Sequence, residues 1–163
     1  MKKLFLIRHA KSSWENSDLS DFERPLNNRG IQNAPVMAKR FIKKWNAPQI
    51  LLCSPAIRAK QTAMYFKNEF KHNTFEQISS ELYEGSSSSI IRKISYISPE
   101  ISNVAVIFHN PNVTMLSNLL AQENIVNVPT CGIVALRLEC DTWKQLEVAS
   151  CSLLDFDFPK REI

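Results

Sequence analysis

The chain has 163 residues, 44% of them hydrophobic and 22% charged, which suits one domain over residues 1–163 and leaves two full domains cramped. Its 20 basic and 16 acidic side chains leave a formal charge of +4, too mild to imply nucleic acid but favourable to an acidic or phosphorylated partner. No apolar run is long enough to span a membrane, and the four cysteines include no CxxC pair, so Cys53 and Cys140, in or beside apolar runs, read as reduced buried thiols.

The first apolar run, Lys3 to Ile7, predicts a short buried strand that delivers Arg8 and His9 side by side. Its brevity argues against a signal peptide, so a cytoplasmic location is expected. A polar loop from Lys11 to Arg29 follows. A helix is then predicted from Ile31 to Trp45, with Val36, Met37, Phe41 and Ile42 as its apolar stripe. Pro35 falls near its expected start, where amides need no internal acceptor, and Lys39, Arg40, Lys43 and Lys44 read as its solvated face. Ile50 to Cys53 predicts a strand, and Ala56 to Phe70 a helix with Ala59, Ala63 and Phe66 on one face. The polar stretch Ser79 to Ser89 ends in serines suited to capping a helix through Ile90, Ile91, Ile94 and Ile97, stopped by Pro99. The strand Val104 to Phe108 leads to His109, and Pro111 opens a helix carrying Met115, Leu116, Leu119 and Leu120. Ile133 to Leu138 predicts another strand, and Glu147 to Ala149 a short last one. This alternation predicts a three-layer α/β/α fold around a mainly parallel central sheet.

Open α/β sheets bind ligands beyond the carboxyl ends of their strands. That rule puts Arg8-His9, Ser54-Pro55 with Arg58, and His109-Asn110-Pro111 at one edge. Arg58 falls on the first turn of its helix, beside unpaired amides. Two histidines with two arginines suit phosphoryl transfer. A neutral imidazole attacks phosphorus, guanidinium forks hold the nonbridging oxygens, and the second histidine donates a hydrogen bond to them. Metal binding is the competing reading, since histidines are common ligands. It is disfavoured because no Asp, Glu or Cys cluster accompanies them and cationic neighbours repel a metal ion. Neither metal nor cofactor is therefore expected.

The motifs resemble those of the histidine phosphatase superfamily, also called phosphoglycerate mutase-like. Its "RHG" or "RHA" turn is matched by Arg8-His9-Ala10, its "SPxxRAxQTA" block by Ser54 to Ala63, and its later histidine by His109. The resemblance implies that His9 becomes phosphorylated, that Arg8 and Arg58 clamp the phosphoryl group, and that His109 belongs to the phosphate pocket. The small phosphohistidine phosphatases, the SixA-like branch, are more similar still. Their "RPL…G" segment reappears as Arg24-Pro25-Leu26 and Gly30, and their "TSGI" as Thr130-Cys131-Gly132-Ile133. This branch implies a phosphatase in signal transduction acting on phosphohistidine in a protein partner, a histidine-phosphotransfer domain being one such partner.

Larger relatives use a glutamate in an "LNE"-like motif as general acid. Leu82-Tyr83-Glu84 has that form, so Glu84 is the candidate, with Glu81 the substitute. The small branch often does without this acid, and Glu84 as spectator is the equal alternative. Little room remains for insertions that would roof the site, so an open cleft suited to a protein surface is expected. After the nucleophile, Lys11 is expected to add charge, Ser12 to touch the anion, and Trp14 to pack or to act as a lid. Arg24 is expected to brace the loop through acidic neighbours. Two alternatives stay open: a small-molecule phosphomonoesterase or mutase using Glu84, and a non-catalytic phosphoprotein-binding module. Neither nucleic acid nor membrane is an expected partner.

Overall fold

A computed structural model describes residues 1–162. Six strands form one sheet in the order β3-β2-β4-β1-β5-β6: β1 Lys2–Arg8, β2 Ile50–Cys53, β3 Phe75–Ile78, β4 Asn103–Phe108, β5 Ile133–Glu139 and β6 Ser150–Asp157. The neighbours β3, β2, β4 and β1 are parallel, and β5 alone runs against both β1 and β6. The predicted mainly parallel sheet is therefore present.

Alternation within β1 builds the three layers. Leu4 and Leu6 face one way, into a core with Ile90, Ile94, Val113 and Leu116 from α4 (Ser87–Ser95) and α5 (Asn112–Ala121). Phe5 and Ile7 face the other way, onto Met37, Phe41, Ala63 and Phe66 from α1 (Asn28–Lys44) and α2 (Ile57–Phe70). A one-turn helix, α3 (Glu81–Glu84), precedes α4. Among the described residues no helix is long and apolar enough to cross a membrane.

Several expectations need correction. The last strand is not Glu147–Ala149 but Ser150–Asp157; as a partly exposed edge strand it mixes Ser and Asp with Leu and Phe, which blurs its alternation. β3 went unpredicted for the same reason, with Phe75, Gln77 and Ile78 exposed. α4 stops at Ser95, so Ile97 lies beyond it. Because α1 begins at Asn28, capped by the Asn27 side chain accepting from Gly30 N at 2.9 Å, Pro35 lies inside the helix rather than in its first turn. The bond it forgoes would have reached the carbonyl of Ile31, an exposed residue that water can serve.

Candidate active site

Parallel register brings the strand ends together. Arg8 pairs with Phe108, and Ile107 pairs with both Ile7 and Cys53, so His9, Ser54 and His109 leave the sheet at one edge. His9 N donates to Phe108 O at 3.1 Å and Ser54 N to Ile107 O at 3.0 Å. The turn after His9 is tied to α2, with Ala10 N donating to Thr62 Oγ1 at 3.0 Å. It is also packed so closely that a Cβ at Gly30 would lie 2.2 Å from the Lys11 carbonyl oxygen, which only glycine allows.

The His9 ring is buried, 7% exposed. Its Nδ1–H donates to the Ala10 carbonyl at 2.7 Å. This fixes the tautomer and leaves the Nε2 lone pair to accept from Arg58 Nε at 3.3 Å. Burial pushes its pKa down to about 3, with His109, Arg58 and Arg8 adding to the shift against the opposing Ala10 hydrogen bond. The ring is therefore neutral at ordinary pH. Its centroid lies 5.0 Å from that of His109. His109 is also held neutral, its pKa lowered to about 4 by burial and by Arg58. Its Nδ1 meets Arg58 Nη2 at 3.3 Å, so Nε2 carries the proton and faces Ser54 Oγ at 2.7 Å. Both ring nitrogens are thus engaged within the site.

The two arginines differ. Arg8 Nη1 donates to Val128 O at 3.0 Å, while its buried Nε has no hydrogen-bond partner among the described residues, and burial lowers its pKa. Arg58 is paired instead with Asp21: Nη1 donates to the backbone oxygen at 2.5 Å and Nη2 to Oδ2 at 3.0 Å. Asp21 also accepts from Arg24 Nη2 at 2.9 Å and from the Tyr83 hydroxyl at 2.8 Å. The three donors hold its carboxyl far below the usual range against a burial cost. Arg24 braces the loop as expected, but Ser12 does so too, its Oγ accepting from Arg24 Nη1 at 2.7 Å. Trp14 stacks on Arg24, whose Cζ lies 3.5 Å from the ring centroid.

These groups line one cavity of about 570 Å³, with Lys11 and Glu84 also on its wall. Arg8, Lys11, Arg24 and Arg58 outnumber Asp21 and Glu84 there, so it suits an anion. Glu84 is exposed at the rim and makes no ion pair among the described residues. All the sequence-predicted site residues, His9, Arg8, Arg58, His109, Glu84, Ser12 and Lys11, border this space. Sequence reasoning did not assign Asp21, Tyr83, Thr62 or Gln61 to it. Gln61 Oε1 accepts from Leu26 N at 2.8 Å, so the Gln61-Thr62 pair of the block ties both the turn after His9 and the loop to α2. Its place in the motif was the available signal. Cys131 is buried, its thiol pushed up to about 12 by burial, and is no nucleophile. Among the described residues no group of three or more His, Cys, Asp or Glu side chains is placed to hold a metal ion.

An uncharacterised protein of Mycobacterium leprae is 28% identical, the match covering 94% of this chain and all of that one. The structure of the candidate phosphohistidine phosphatase SixA of Agrobacterium tumefaciens superposes with a TM-score of 0.84 at 24% identity, over 97% of this chain and 98% of that one. The protein histidine phosphatase SixA complexed with tungstate superposes with a TM-score of 0.81 at 22% identity, over 96% and 97%. Both share the fold. Residues 4–89, which hold Arg8, His9, Arg58 and Glu84, match the family model, and the chain belongs to the histidine phosphatase superfamily (branch 1).

Proposed function

We propose that the protein is a metal-independent phosphatase that uses His9 as nucleophile and acts on phosphohistidine in a protein partner. The observation that carries this reading is the neutral His9 ring, Nδ1–H tied to Ala10 O and Nε2 turned to Arg58 inside a cation-rich cavity. The Nε2 lone pair forms the new bond to phosphorus while the phosphorus–leaving-group bond breaks and its electron pair goes to the leaving atom. The Ala10 carbonyl, still accepting from Nδ1, supports the positive charge on the phosphorylated ring. Water then attacks phosphorus, the bond to Nε2 breaks, and the lone pair returns to the ring as phosphate leaves. Arg8 supplies uncommitted donors for the charge that develops. An entering dianion raises the His109 pKa, and a proton taken up at Nδ1 turns that nitrogen into a donor.

The protein substrate is supported by the exposed mouth, where Trp14 and Glu84 face solvent, and by the likeness to two SixA structures, one described as a protein histidine phosphatase. Glu84 on the cavity wall favours a second reading, a small-molecule phosphomonoesterase in which it protonates an alkoxide. A parallel hydrolysis assay with phosphohistidine protein, phosphotyrosine peptide and small phosphate esters, on wild type and E84Q, separates them. Preference for phosphohistidine protein without dependence on Glu84 is expected. Fast ester turnover that requires Glu84 overturns the preferred substrate.

A further inference from the structure

The phosphatase reading leaves Asp21 unexplained. It lies in a short helical turn, Asp21–Glu23, inside the loop after the nucleophile. Its side chain is half exposed and borders the cavity. Oδ2 accepts from Arg58 Nη2 at 3.0 Å and Tyr83 Oη at 2.8 Å. Oδ1 accepts from Arg24 Nη2 at 2.9 Å and Nε at 3.3 Å. Its backbone oxygen takes Arg58 Nη1 at 2.5 Å. The two terminal nitrogens of Arg58, the fork that suits paired phosphoryl oxygens, therefore already grip Asp21. Nε of the same guanidinium reaches His9, so nucleophile and carboxylate lie on different nitrogens of one planar group. Three donors keep this carboxylate ionised, which makes it an acceptor and not a general acid.

We propose that Asp21 is a specificity-determining residue, a fixed counter-anion that favours phosphoramidates with a cationic leaving ring over dianionic phosphate esters. A phosphoryl group at His9 Nε2 directs its leaving group away from that nitrogen, in line with attack, into the cavity that Asp21 also lines. A protonated imidazole passing there is attracted by the carboxylate and can donate its remaining N–H to it. An ester with a neutral leaving group meets only the repulsion of Asp21 for its dianion and the loss of part of the Arg58 fork.

The inference rests on the site taking a phosphoryl group, and the test separates the two. Wild type, D21N and D21E are compared for tungstate and inorganic phosphate binding by calorimetry, and for kcat/KM on phosphoimidazole and p-nitrophenyl phosphate. D21N keeps the shape and removes the charge, whereas D21E keeps the charge. In D21N, oxyanion binding is expected to tighten about tenfold, and the phosphoimidazole preference to fall by about as much. D21E is expected to stay within about threefold of wild type on both measures. Unchanged or weaker oxyanion binding in D21N overturns the proposal, as does an equal shift in D21N and D21E, which would make Asp21 a brace. An unchanged substrate preference in D21N overturns it as well. If wild type hydrolyses neither compound nor phosphohistidine protein, the phosphatase reading fails and the oxyanion measurements alone decide the role of Asp21.

Discussion

Arg8 and Arg58 approach the same imidazole from regions built on different terms. Arg8 ends β1, the strand between β4 and β5, and the sheet holds it beside His9 whatever its charge costs; its one hydrogen bond goes to a backbone carbonyl and its Nε has none among the described residues. Arg58 sits on α2 and is neutralised from the loop side by Asp21. The floor of the site stores unpaired positive charge because strand pairing is strong enough to hold it, while the rim is held by the ion pairs themselves. A binding site for an anion needs the first kind of arginine, and its loops need the second.

The sharpest break is H9A. Phosphatase activity is expected to fall by at least about 10³-fold, with no phosphoenzyme trapped after rapid quenching; retained turnover removes His9 as nucleophile. Next come the arginines, replaced by methionine to keep their length. R8M and R58M are each expected to lower kcat/KM about 10²-fold or more. Their stabilities should part: R8M gains about 1 kcal/mol by urea unfolding, having lost an unpaired part-buried charge, and R58M loses about 1 kcal/mol with its Asp21 and His9 bonds. Equal stability changes would erase the distinction between floor and rim.

The pH dependence of stability gives a smaller signal. His9 and His109 have folded pKa values near 3 and 4, below the unfolded value near 6.5. The unfolded chain therefore binds more protons in between, so stability is full above about pH 6.5 and is lost as pH falls toward about 4 for His109 and about 3 for His9. Asp21, also depressed, contributes above its unfolded value, and its share is lost only as pH falls below about 4. Urea midpoints should thus decline between pH 6.5 and 4, and H9Q should flatten that decline. A slope unchanged in H9Q would mean that His9 is not held neutral. The smallest expected effect is E84Q, less than about threefold on phosphohistidine hydrolysis; a larger loss makes the rim glutamate part of the chemistry.

The frame was legible where burial is one-sided or complete. The runs ending at Ile7, Cys53 and Phe108 lie in or at the core, so hydrophobicity alone located their strands. β3 and β6 lie at the sheet edges, where a partly wet strand carries no clean pattern. Arg8, His9, Arg58 and His109 were legible because strand ends in a parallel sheet converge. Asp21 was not: its three-residue spacing from Arg24 suggests a local ion pair, but nothing local says that Arg58, on a different element, closes on the same carboxylate. Ser12 borders the cavity and its Oγ accepts from Arg24, a bond that closeness to His9 in the sequence does not signal.

By itself the sequence determined the alternating strands and helices and the residue types that converge beyond them, because those follow from periodicity and from the direction of parallel strands. Tertiary structure decided the chemical state of that set. Whether His9 is neutral, which ring nitrogen is free, and which arginine is already neutralised depend on burial and on charges brought from loops far along the chain. Electrostatic energies follow distance in space, and sequence separation carries little of that distance.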